Sequence, residues 1–160
     1  METLTQKELA PYLPFELKVI WSDGKIDTIN PLLSEKNNVE NEVSLQLALF
    51  AFEEEHIDLK PILYPLDYLT KPITHNGETI VPIEKLKNIY NSYPDSYIEK
   101  LHFIDFENTV TLFGLEKDDS YEVAMPYSIY EKLFEWRFDV FKLINRGLAV
   151  PITEEFNPYK

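Results

Sequence analysis

Two dipeptides constrain this chain more than anything else in it: Asp23-Gly24 and Asn76-Gly77, each set between β-prone flanks. The two central positions of a tight hairpin turn need residues that tolerate a positive φ, so Asp-Gly and Asn-Gly between such flanks are strong short-range hairpin signals. Before the first, Phe15, Leu17, Val19 and Trp21 alternate with Glu16, Lys18 and Ile20, and Ile26 to Ile29 answer on the far side. Around the second, Ile73-Thr74-His75 faces Glu78-Thr79-Ile80. A chain built this way folds around short antiparallel β-structure.

Helices are expected between and after the hairpins. Thr5 with Glu8 three residues on reads as a capping box, and Pro11 ends that helix within one to two turns. Val43, Leu45, Leu47, Leu49 and Ala51 alternate with Ser44, Gln46, Ala48 and Phe50, which is read as a strand although the stretch also suits a helix. Ile57 to Leu63 forms a strand provided that Pro61, which has no amide hydrogen, stands at an edge or a strand end. A helical turn is expected around Leu66 to Leu69. Pro82 opens a helix with Ile83, Leu86, Ile89 and Tyr90 on one face, and Pro94 stops it. Leu101 to Leu115 reads as one or two strands, bent at Gly114. Pro126 to Gly147 is expected to be the longest helix. Its apolar stripe is Ile129, Leu133, Trp136, Val140 and Leu143, and its wet side Glu131, Glu135, Asp139, Lys142 and Arg146. Leu148 to Ile152 makes a short strand, and residues 154–160 a loose tail. The expected fold is therefore α+β. One domain over residues 1–153 packs short hairpins or a sheet against one long C-terminal helix and one or two shorter ones.

Composition narrows the function classes. The chain has 160 residues, 44% hydrophobic and 14% aromatic, enough to build its own core. Its net charge of −13 opposes nucleic-acid backbones and anionic membranes, so no direct nucleic-acid binding and no membrane association are expected. The absence of cysteine removes disulfides, thiolate metal sites and cysteine nucleophiles, and points to the cytosol. The start, Met1-Glu2-Thr3-Leu4, does not read as a secretory leader, and no apolar run approaches the ~18 residues of a membrane span. Charge is uneven: residues 1–120 carry 22 acids and 10 bases, residues 121–160 carry 6 and 5.

Chemistry-bearing constellations are few. His56, His75 and His102 do not share a helix face at metal-ligand spacing, so neither a metal nor a cofactor is expected. Asp105 and Glu107 lie two apart on one strand face; as an acid and base pair they would need a cleft, and a solvated strand face explains them equally. With only four glycines, no phosphate-cradling loop, nucleophile elbow or dinucleotide fingerprint occurs, and an enzyme is not expected. The acidic clusters Glu35 to Glu42, Glu53-Glu54-Glu55 with Asp58, Asp105 with Glu107, and Glu116 to Glu122 with Asp118 and Asp119 are candidates for engaging a basic surface. On the long-helix reading, Arg137 falls inside the apolar arc, either paired internally or exposed beside Phe138 as an interface anchor. The tyrosines at 90, 93, 97, 121, 127 and 130 stand among acids, which suits core and rim packing rather than base stacking.

Three strings carry a family resemblance. They are Lys60-Pro61-Ile62-Leu63-Tyr64-Pro65-Leu66-Asp67-Tyr68-Leu69-Thr70-Lys71, then His75-Asn76-Gly77-Glu78 through Val81-Pro82-Ile83, and Phe138-Asp139-Val140-Phe141-Lys142-Leu143-Ile144 with Gly147-Leu148-Ala149. With Leu9 to Leu17 they touch about a third of the chain and resemble, in order, small proteins of phages and prophages of Bacteroidetes-type bacteria. Residues 88–125 depart from that group. The family has no established activity, so the resemblance transfers no site residue; what it implies is context. Small acidic phage proteins include anti-CRISPR proteins of similar size and charge. The expected role is thus an anti-defence factor, monomeric or a small homo-oligomer. Its partner would be a basic nucleic-acid-binding host protein, such as a CRISPR effector nuclease, including type VI effectors, or its guide-RNA complex. The alternatives are a phage accessory or structural protein acting through self-assembly, and a small hydrolase using Asp105 and Glu107.

Overall fold

The computed structural model describes residues 3–33, 39–53, 59–91, 101–106, 109–114 and 127–160. The helices are α1 (Gln6–Leu9), α2 (Leu45–Glu53), α3 (Pro82–Asn91) and α4 (Tyr127–Glu135). The strands are β1 (Lys18–Trp21), β2 (Ile26–Asn30), β3 (Glu42–Ser44), β4 (Leu59–Leu63), β5 (Ile73–His75), β6 (Glu78–Ile80), β7 (Leu101–Phe106), β8 (Thr109–Gly114) and β9 (Val150–Pro151). The fold class is α+β, as the patterning implies. The chain divides into two compact units, Met1–Pro65 with Phe134–Pro158, and Leu66–Leu133 with Tyr159–Lys160.

The first unit is organised by a five-stranded sheet in the order β3-β2-β1-β4-β9. Its centre, β2-β1-β4, is antiparallel, and the Asp23-Gly24 hairpin joins β1 to β2 as expected. Both outer pairings, β2 with β3 and β4 with β9, are parallel, so the sheet is mixed rather than purely antiparallel. Pro61 sits within β4, which has neighbours on both sides. The Trp21 amide donates to the Lys25 carbonyl at 2.9 Å and the Ile29 amide to the Leu17 carbonyl at 2.8 Å, so odd-numbered β1 residues bond toward β2. Pro61 stands opposite Val19, an odd position, and its nitrogen therefore turns away from β1 toward β9, where pairing starts only at Ile62.

On the core face Leu17, Val19, Ile29, Val43, Leu59 and Leu63 meet Leu9, Tyr12, Ala48, Ala51, Phe52 and Leu143. Helix α1 passes into a 3₁₀ stretch, Ala10–Phe15, that holds Pro11 and Pro14 and ends at Glu16 in a left-handed conformation, φ 56°. The α-helix thus ends after one turn, ahead of Pro11, as expected, and the chain continues in the tighter 3₁₀ form, since a residue without an amide hydrogen cannot extend the α pattern.

The stretch read as a strand, Val43 to Ala51, is instead a short β3 followed by α2. Apolar residues at nearly every position leave no period to distinguish the two. What decides it is Ser44, whose Oγ accepts the Leu47 amide at 3.2 Å as an N-cap.

The long C-terminal helix is not present. Helix α4 ends at Glu135, Arg137 takes a left-handed φ of 60°, and the chain enters a parallel bridge between Phe138 and Tyr64. The Tyr64 amide donates to the Arg137 carbonyl at 2.8 Å, and the Asp139 amide to the Tyr64 carbonyl at 2.9 Å. Two sheet-type bonds to Tyr64 thus replace helical ones. Asp139, expected on a wet helix face, is buried, and its carboxylate accepts the Leu143 and Ile144 amides at 2.7 and 2.8 Å. Gly147 does end a helical turn, a separate one. With φ 73° it donates to the Ile144 carbonyl at 3.0 Å while Leu148 donates to that of Leu143 at 2.8 Å, a Schellman closure. The segment expected as a loose tail is tied at Asn157, whose Nδ2 donates to the Tyr64 hydroxyl at 2.7 Å.

In the second unit the Asn76-Gly77 hairpin pairs β5 with β6, φ being 50° and 79° at its two turn residues, as a type I′ turn requires. Pro82 opens α3, with Leu86 buried, and β7 pairs with β8 in antiparallel register from Leu101–Gly114 to Phe106–Thr109.

Candidate functional site

Of the ten residues expected to bind a partner, four lie among the described residues. Glu53 is the last residue of α2, in the first unit; Asp105 lies on β7, in the second, opposite Val110. Glu54, Glu55, Asp58, Glu107, Asp118 and Asp119 lie outside the described residues. Phe138, expected as an exposed anchor, is fully buried, its ring 5.5 Å from that of Tyr64. Arg137 is half-buried and internally engaged. Its guanidinium donates to the Phe15 carbonyl and, at 3.3 Å, to the Glu135 carbonyl. Trp136 is buried, as expected.

Another group of residues comes together at the end of the first sheet near the Asp23-Gly24 turn. Asp27 pairs across the hairpin with Val19 and shares parity with Ile29, so the alternation that buries those two also turns this acid inward, leaving it 2% exposed. Its Oδ2 accepts the Trp21 indole Nε1–H at 2.7 Å and the Lys25 ammonium at 2.9 Å. Its Oδ1 is buried and accepts no hydrogen bond from the described residues. Such an oxygen is costly, because desolvation is not repaid by a donor.

Asp27 forms part of the wall of a cleft of about 430 Å³. Trp21, Val39, Val43 and Leu47 supply the apolar lining, and Lys25, Glu40 and Glu42 the remaining charge. Val39 and Leu47 are 47% and 45% exposed, and Phe50, one turn along α2 from Leu47, is 52% exposed. Glu42 also borders a second cleft of about 410 Å³, beside Leu13, Pro14, Asn30 and the exposed Leu32. There its Oε2 accepts the Asn30 Nδ2–H at 2.7 Å.

No family model, curated protein or solved structure matches this chain.

The first cleft therefore has to be judged by its own chemistry. Asp27 and Glu40 against Lys25 leave it net negative, because Glu42, in register with Thr28, carries its carboxylate to the other face of the sheet, onto Asn30, and apolar walls lower the local dielectric and strengthen that field. Among the described residues no group of three or more His, Asp or Glu is placed to hold a metal ion, and no helix is long and apolar enough to cross a membrane.

Sequence reasoning missed this site because it weighed acids as runs. The signal was Asp27 itself, an acid at an inward-facing position of a strand, two residues from Ile29 and close across the turn from Trp21.

Proposed function

We propose that this chain is a protein-binding factor that captures a basic segment of a partner in the cleft formed by Trp21, Asp27, Glu40, Glu42 and Leu47. The partner is a basic nucleic-acid-handling protein of a bacterial host, encountered in the cytosol. An RNA-guided nuclease is the candidate that the resemblance to phage proteins implies, and occupying its basic surface would inhibit it. The observation that carries this reading is a net-negative cleft, lined by Asp27 and Glu40 beside Lys25 and edged by exposed Leu47 and Val39. The overall charge of −13 supports it by steering a basic partner toward the molecule from a distance.

The test is capture from host lysate at ~50 and ~500 mM salt, with nuclease treatment and mass spectrometry, using the native chain and Glu40→Lys. A basic nucleic-acid-handling protein retained at low salt, released at high salt and lost with Glu40→Lys is the expected result. Purified effector nucleases then test inhibition directly, and unimpaired cleavage by all of them removes the anti-defence part of the reading. The exposed Leu32, Leu47, Phe50 and Tyr127 support a second reading, self-assembly, which light scattering would reveal as a large fixed oligomer.

A further inference from the structure

The turn between β5 and β6 holds a complete set of reacting groups. We infer that Asn76 is a site of spontaneous covalent modification. The amide nitrogen of Gly77 attacks the side-chain carbonyl carbon of Asn76, closing a succinimide ring, and the bond from that carbon to Nδ2 breaks. Water takes the proton from the Gly77 nitrogen, His75 supplies the one that the departing nitrogen needs, and ammonia leaves. A second water then opens the ring at either carbonyl, so that position 76 becomes aspartate or isoaspartate.

The parts are in place on this hairpin. Among the described residues the Gly77 amide donates to nothing, and a Cβ on Gly77 would meet nothing within 4 Å, so the nucleophile is unbonded and open. Asn76 is exposed, and His75 Nε2 lies 3.1 Å from its Nδ2, which sets an imidazole at the leaving nitrogen. A neutral ring nitrogen accepts that N–H, and a protonated one donates, as a general acid must. The hairpin is short, running from the Ile73–Ile80 pair to His75–Glu78, so little structure has to open for the ring to close. The Asp23-Gly24 turn is the contrast. There the Gly24 amide donates to the Trp21 carbonyl at 2.9 Å, and Asp23 Oδ1 accepts the Lys25 amide at 2.9 Å, so nucleophile and target are both engaged. The amides that follow Asn41 and Asn145 are held too, Glu42 by the Val39 carbonyl and Arg146 by that of Lys142, each at 3.2 Å. Asn30 and Asn157 precede prolines, which have no amide hydrogen to lose. Folding therefore protects these positions and leaves Asn76 reactive. The aspartate product adds a negative charge beside His75. The isoaspartate product runs the main chain through Cβ and lengthens a turn that has room for two residues between His75 and Glu78.

The experiment incubates the full-length chain in warm neutral buffer, folded and in urea. Peptide mapping with mass spectrometry follows Asn41, Asn76, Asn145 and the isomerisation of Asp23, with isoaspartate separated from aspartate by chromatography. In the folded chain the expected rate at Asn76 is at least about tenfold above those at the other three. Urea should speed those three and leave Asn76 within about threefold of its folded rate, which separates the part played by the fold from the intrinsic reactivity of Asn-Gly. His75→Gln should slow the folded reaction at least about threefold, and added imidazole should raise the rate of that variant by a larger factor than the native rate, a rescue that a merely distorted turn would not show. A rate at Asn76 that falls about tenfold or more on folding overturns the inference. So does a His75→Gln chain that reacts at the native rate.

Discussion

Tyr12 shows how one hydroxyl can hold a chain crossing in place. Its OH donates to the Phe138 carbonyl at 2.7 Å and accepts the Val140 amide at 3.2 Å, while its ring stands edge-on to Phe134 and Phe141. Burial pushes the phenol far above its ordinary range, with the Val140 amide pulling the other way, so it stays protonated and donating. Tyr12→Phe keeps the ring and strips both bonds, and urea denaturation should show a loss of about 1–3 kcal/mol. Glu8 sets a pH limit. Burial raises its pKa, but hydrogen bonds from Arg146 and from the Thr5 hydroxyl and amide outweigh that and leave it below its ordinary 4.5. A carboxyl lowered in the folded state stabilises the fold above its unfolded value, and the contribution disappears as pH falls through the folded value. Glu8→Gln should therefore lower the thermal midpoint at pH 7, and the gap from the native chain should close as pH falls below 4.5. Asp139 acts in the opposite sense: burial raises its pKa above the ordinary 3.8 despite two amide donors, so its protonation on acidification favours the folded state. Comparing the two chains cancels that contribution.

At the scale of elements, what was legible in the sequence is what local chemistry decides. Asp23-Gly24 and Asn76-Gly77 dictate φ at their own positions, and both hairpins stand where the dipeptides place them. At Gly77, φ is 79° and an added Cβ would meet nothing within 4 Å, so Gly77→Ala isolates backbone strain. It should cost roughly 1–2 kcal/mol by thermal or urea denaturation, and Gly147→Ala, at φ 73° and equally open, should cost a similar amount. Two elements were not legible, for different reasons. The α2 segment is apolar at almost every position, so its period is silent and only the Ser44 cap speaks. The end of α4 is set by Tyr64, more than sixty residues away in sequence, and no glycine or proline near Glu135 announces it. Reading a helix on to Gly147 placed Arg137 on an apolar arc that does not exist and moved Phe138 from the core to the surface. The candidate site was partly legible: the hairpin that carries Trp21 and Asp27 was the clearest expectation of all. Its meaning was hidden because a single inward acid is quieter than a run of three.

For the whole molecule, charge is the governing quantity. A net −13 on 160 residues makes the folded state repel itself, and modest salt screens that repulsion. Raising sodium chloride from ~20 to ~150 mM should raise the thermal midpoint by a few degrees, and a fall would mean that ion pairs such as Glu8–Arg146 outweigh the repulsion. On the function proposed above, the same field draws basic partners toward the acidic cleft of the first unit. The most direct test of that claim is a hydrogen-exchange footprint of the captured partner bound to the native chain. The account predicts protection at Lys25 to Ile29, at Val39 to Val43 and on α2 around Leu47 to Phe50. Protection confined to other segments, with those three exchanging as in the free chain, would contradict it.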